Sequence, residues 1–149
     1  MVGCKFTITD CIQQGFKGVI CFETALGYFG LTSFDAETNP IFFVEGTTDI
    51  GKFVPSLVSF MIVDKVDYSY TKEIAKGLFV TRPERTICDL IKYKRHEFFI
   101  LEALDEIYNF ETTPECVDLQ LLDKLVDEYG IRAEFDKLRQ DSETFFDEE

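Results

Sequence analysis

Tryptophan is absent from this chain, histidine occurs once, at His96, and methionine twice. With a single imidazole no catalytic triad has a choice of base, and neither a Gly-x-Ser-x-Gly elbow nor a His-Glu-x-x-His zinc motif occurs. The five cysteines, Cys4, Cys11, Cys21, Cys88 and Cys116, are odd in number, widely spaced and without a Cys-x-x-Cys pair. That pattern argues against both a disulfide framework and a structural zinc site, so free thiols packed as small hydrophobes are expected. No apolar run approaches the roughly 20 residues that span a bilayer. The start, MVGCKFTITD, lacks the basic-then-apolar pattern of a secretory signal. A cytoplasmic protein without a membrane segment is therefore expected.

What is present is a core-forming chain with lopsided charge. Its 149 residues are 46% hydrophobic and include 16 phenylalanines, enough for one domain with largely aromatic packing. Residues 1–96 carry 11 acidic and 11 basic side chains, whereas residues 97–149 carry 17 and 4, so the whole net charge of -13 lies in the second part. Within the neutral part, Lys72 to Arg95 gathers seven Lys or Arg against Glu73, Glu84 and Asp89. A basic patch beside an acidic lobe suits a bipolar partner, or is neutralised by that lobe.

Periodicity predicts the elements. TITDCIQQGFKG predicts a short helix capped by Thr7 or Thr9, with Ile8, Cys11 and Ile12 on one face and Gly15 as its stop. VICFETALGYFGL predicts a short apolar run and then a helix through Ala25, Leu26 and Phe29. NPIFFVEG reads as a buried strand, LVSFMIVDKVDYSY as one long or two short strands, and KGLFVT as another. After Thr81 the period turns helical. Thr81 and Glu84 form a capping box around Pro83, and Ile87, Leu90 and Ile91 make an apolar face. The stripe loses phase near Lys94 to Glu97 and resumes through Ile100, Leu101, Leu104 and Ile107. Thr113-Pro114-Glu115 opens a further helix closed by Gly130, and a last short one covers Arg132 to Gln140. The expected class is α/β (α+β), a small mixed sheet with packed helices. The core covers residues 1–110, a helical lobe packed on it covers 111–141, and 142–149 is an acidic tail without order.

Three pieces, GVICFETALGYFGL, NPIFFVEG and VTRPERTICDLIKY, together resemble the AbiEi family of antitoxins from type IV toxin-antitoxin and abortive-infection systems. The last is similar to that family's strand-to-helix Thr-x-x-x-Arg-Thr-x-x-Asp-Leu signature. The resemblance spans about residues 15–110. It implies a role in neutralising a nucleotidyltransferase toxin. Members carry an N-terminal winged helix-turn-helix before the matched part; only about 15 residues precede it here, so operator binding by this chain alone is not expected. Physically, Arg85 and Asp89 lie one turn apart on one helix face and are expected to pair internally, while Lys92, Lys94 and Arg95 at the far end are free for the helix dipole or a ligand.

Other chemistry is scarce. GTTDIGKF, Gly46 to Phe53, falls one residue short of a phosphate-binding loop, because Phe53 stands where Ser or Thr must hold magnesium. A turn is the expectation there, with Thr48 and Lys52 as the residues to test. Glu102, Asp105 and Glu106 are helically spaced and read as a solvated face. No enzyme, cofactor or metal site is expected. The candidate partner-binding residues are Arg82, Arg85, Asp89, Lys92, Lys94, Arg95, Glu102, Asp105 and Glu106.

Three functions stay open. The first is an antitoxin-like regulator acting by protein contact on a nucleotidyltransferase toxin or a defence component. The second is an acidic nucleic-acid mimic, such as a phage-encoded inhibitor of a nuclease or CRISPR effector, with a basic partner. The third is direct nucleic-acid binding through Lys72, Lys76, Arg82, Lys92, Lys94 and Arg95, which the acidic lobe would oppose.

Overall fold

The computed structural model describes residues 7–35, 40–46 and 58–146. Strands β1 (Gly18–Ile20), β2 (Ile41–Glu45), β3 (Ser59–Val63), β4 (Thr71–Ala75) and β5 (Leu78–Thr81) form one mixed sheet in the order β3-β2-β1-β5-β4. Strand β1 runs antiparallel to β2, with Val19 opposite Phe43, and parallel to β5, with Val19 opposite Phe79. The pairs β2–β3 and β4–β5 are parallel and antiparallel respectively. The fold is α+β, as expected from the order of apolar runs and helical stripes.

Both faces of the central strands are covered, which is why their sequences read as continuous apolar runs rather than as alternations. Val19, Ile41 and Phe43 point into the larger cluster, together with helices α2 (Phe22–Tyr28), α3 (Pro83–Lys92), α4 (Glu97–Tyr108), α5 (Leu119–Tyr129) and α6 (Arg132–Phe145). Ile20, Phe42, Val44, Leu78 and Val80 point the other way, onto Ile8, Cys11 and Phe16 of helix α1 (Ile8–Gln13) and the turn after it. One apolar cluster runs from Ile87 and Leu104 through Leu122, Leu125 and Phe135. The acidic helices α5 and α6 thus share the core of the sheet side.

Several local expectations are corrected. Thr7 caps α1 with a reciprocal Asp10 contact, but Ile12 is exposed, because the sheet reaches only the Ile8 and Cys11 side of so short a helix. The segment after Val63 is not strand. Val66 drops into the core, Tyr70 holds a φ of 52°, and the pairing resumes at β4, an edge strand that its Lys72 and Glu73 disguise. Arg82, not Thr81, is the N-cap of α3; Thr81 still belongs to β5, and its hydroxyl meets Thr86 Oγ1 at 2.6 Å. Glu84 therefore serves another end, accepting the Asp118 N–H at 2.6 Å. Helix α5 begins after Asp118, not at Thr113, since the Asp118 carboxylate takes the N–H groups of Gln120 and Leu121. Helix α6 continues past Gln140 to Phe145, with Ser142 buried and its carbonyl accepting from Asn109 Nδ2. Most of the phosphate-loop-like GTTDIGKF lies outside the described residues.

Candidate partner-contact site around helix α3

Helix α3 starts directly from strand β5, and Pro83 in its first turn needs no N–H partner. Its Arg85 and Asp89 are both buried and pair across one turn, with Nε donating to Oδ2 at 3.1 Å. The guanidinium reaches further. Its Nη1 donates to the carbonyls of Asp67 at 2.6 Å and Ser69 at 2.8 Å, tying down the irregular segment between β3 and β4. Asp89 in turn accepts the Tyr129 hydroxyl of α5 at 2.6 Å. Burial holds the Asp89 carboxyl above the ordinary carboxylate value, with the Arg85 charge opposing it. Burial, and then the Asp89 charge, push the Tyr129 hydroxyl up. The internal pairing expected for Arg85 and Asp89 is what the fold contains.

At the far end the expectation needs correction. Arg95 is not free: Nη2 lies 3.0 Å from Glu23 Oε1 and Nε 3.1 Å from Oε2, a two-point pairing to a carboxylate that is 1% exposed. Its guanidinium also lies over the Phe22 ring at 4.4 Å. Phe22 holds a left-handed φ of 56° and is fully buried against Phe43 and Tyr93. Lys94, with φ 54°, turns the chain out of α3, and the Arg95 N–H then closes on the Leu90 carbonyl at 2.9 Å. Lys92 and Lys94 remain exposed, Lys92 lying over the rings of Tyr93 and Tyr129.

A cleft of about 570 Å³ opens at this corner. Lys94, His96 and Glu97 line it on one side and Glu134 and Lys137 of α6 on the other, above an apolar floor that includes Ile91 and Leu138. A smaller cleft of about 380 Å³ lies at the start of α3, between Lys72, Arg82 and Glu115. Lys72 and Arg82 thus lie at one end of a ten-residue helix and Lys92, Lys94 and Arg95 at the other, and Arg85 and Arg95 are paired within the fold.

The three acids of α4 do not act together. Glu102 accepts from the hydroxyl of Thr32, from the Ser33 N–H at 2.7 Å and from the Ser33 hydroxyl at 3.0 Å, so it clamps the turn after α2 rather than facing solvent. Asp105 accepts from Asn109 Nδ2 at 2.8 Å, and Glu106 is exposed. In the acidic helices, Arg132 gathers Asp123 at 2.8 Å, Asp127 at 2.9 Å and Asp136 at 3.7 Å, while Lys124 pairs with Glu128 and Lys137 with Asp141. Sequence reasoning missed Glu23 as the partner of Arg95 and Tyr129 as a partner of Asp89. A lone acid inside the apolar run VICFETAL was the available signal for Glu23, because such a carboxylate is seldom buried without a cation. No family model matches the chain, and no curated protein matches it. No helix among the described residues is long and apolar enough to cross a membrane.

Proposed function

We propose that this protein is a non-enzymatic, antitoxin-like inhibitor that works in the cytoplasm by protein contact, neutralising a nucleotidyltransferase-type toxin or a related defence component. The observation that carries the reading is the division of labour along α3. Arg85, Asp89 and Arg95 are taken up by the fold, while Lys92 and Lys94 stay exposed, Lys94 in the cleft it shares with the acids Glu97 and Glu134. A surface of closely mixed sign over an apolar floor matches a protein face better than a run of phosphates, which favours uninterrupted positive charge. The Thr-x-x-x-Arg-Thr-x-x-Asp-Leu resemblance supplies the class of partner.

The acidic-mimic alternative draws on the many carboxylates of α5 and α6. Arg132, Lys124 and Lys137 sit among them, which interrupts the unbroken negative row that a phosphate cleft would recognise. Direct nucleic-acid binding is weaker still, since its cations are divided between two ends of a helix.

The deciding experiment is capture of partners by the tagged full chain from nuclease-treated lysate of its native cells, alongside a Lys92→Glu/Lys94→Glu variant. Recovery of a nucleotidyltransferase by the wild type and its loss with the variant is expected. Recovery of a basic nuclease that persists with the variant would replace this reading with the acidic mimic. Neither partner at any salt concentration would overturn both.

A further inference from the structure

The end of α6 carries a feature that the acid-rich segment DSETFFDEE concealed. Phe145 stands 48% exposed and Phe98, at the start of α4, 45% exposed. The two rings meet edge to face, with centroids 6.0 Å apart, and Phe98 makes the same contact with Phe99 and Phe146. The aromatic chain continues through Phe99 to Phe34. Beside it runs a groove of about 720 Å³ lined by Glu97, Leu101, Lys137, Asp141, Thr144 and Phe145.

The chemistry of this groove favours a cation with an apolar stem. Glu97 and Asp141 supply carboxylates, Leu101 an apolar floor and Phe145 a ring face. The groove already holds a cation of its own, Lys137, 2.9 Å from Asp141, and both Asp141 and Glu97 raise the pKa of its ammonium. Elsewhere in this molecule Arg95 is received in the same way, over Phe22 beside Glu23, and Arg139 lies over the Tyr108 ring at 3.9 Å. Among the described residues no cation lies over Phe98 or Phe145, and both side chains keep nearly half of their surface exposed. Exposed aromatic rings rimmed by polar groups also match the composition of protein-contact surfaces.

We propose that the Phe98–Phe145 patch and the adjoining Glu97–Asp141 groove form a docking surface for an arginine-bearing cationic face of a protein partner. This rests on the reading of the chain as acting by protein contact, and names the surface and the chemistry it receives. Arginine suits the groove better than lysine, because a planar guanidinium stacks on a ring and forks to a carboxylate together.

The test is an NMR titration of the full isotope-labelled chain with two ten-residue peptides, one of alternating arginine and glycine and one of alternating lysine and glycine. Saturable shifts centred on Phe98, Leu101 and Phe145, with the arginine peptide binding at least about threefold tighter, are expected. Phe98→Ala/Phe145→Ala, which leaves the charge unchanged, should weaken binding about tenfold or more. Glu97→Gln, which leaves the rings unchanged, should weaken it severalfold, and circular dichroism verifies that both variants are folded. Shifts spread over the carboxylates of α5 and α6, with the ring variant binding undiminished, would overturn the proposal as plain charge attraction. Sedimentation showing a dimer that Phe145→Ser abolishes would overturn it in favour of a second copy of this chain. Because no toxin enters the assay, its failure is distinct from failure to capture a nucleotidyltransferase.

Discussion

Arg95 and Glu23 stand 72 positions apart in the chain and 3.0 Å apart in the fold. The pair joins the end of α3 to the start of α2, and Glu23 reaches it from an almost fully buried position. Removing the cation leaves a carboxylate buried without a partner. Arg95→Met should therefore destabilise the protein by about 3 kcal/mol, within the range for breaking a buried pair. Arg95→Met combined with Glu23→Leu should recover part of that loss, because the stranded charge is gone. Urea denaturation of the wild type and the two variants checks this, and equal losses for the single and double variants would refute it.

Asp89 has a raised folded-state pKa, caused first by burial. The folded protein consequently binds that proton more tightly than the unfolded chain does. Its contribution is fully present below the unfolded value of about 4 and is lost as pH rises through the folded value. Asp89→Asn removes that loss. Stability measured across pH should show the variant improving relative to wild type as pH rises above about 4; the opposite slope would mean that Arg85 and Tyr129, not burial, dominate the site.

The thiols should divide by burial. Cys11 and Cys88 are both pushed up to about 12 by burial, and Cys21 is raised as well. Cys116 is half-buried. With a disulfide reagent at neutral pH, Cys116 should react first among these four, and Cys116→Ser should remove that phase. The other three should react only as urea unfolds the chain. The same raised values predict stability lost as pH climbs from about 9 towards 12, and Cys88→Ala should flatten that fall.

Glu84 is fully buried and links α3 to the start of α5 through the Asp118 N–H. Its other oxygen, Oε1, has no hydrogen-bond partner among the described residues, with the Arg82 guanidinium 3.6 Å away. Glu84→Ala should cost about 1–3 kcal/mol by stranding the Asp118 N–H. Hydrogen exchange at Asp118, Gln120 and Leu121 should accelerate in the variant, and unchanged exchange there would exclude the linking role.

Legibility of the fold followed the range of the interaction. Ile41–Glu45 and Leu78–Thr81 were readable because consecutive apolar residues record burial on both faces. Edge strand β4 was not, since an edge needs few apolar residues and Lys72 and Glu73 suit it. The break between α3 and α4 showed as a lost stripe, and the αL closure at Gly130 showed as a glycine after a periodic run. Within the candidate site, the Arg85–Asp89 pair was readable because it spans one helical turn. Arg95 was misread as free because its partner lies in another helix.

The sequence by itself determined the class of fold, the order of most elements, the burial of Ile87, Leu90 and Ile91, and the segregation of charge, all of which depend on residue type and near-neighbour spacing. Only the tertiary structure decided which charges remain available. It sent Arg95 to Glu23, Glu102 to Thr32 and Ser33, and Arg85 to the carbonyls of Asp67 and Ser69. It also brought Phe98 and Phe145 together, from the start of one helix and the end of another. The physical reason is that a charged side chain or a ring finds its partner through space, and packing of the elements sets those distances after local spacing has set the elements.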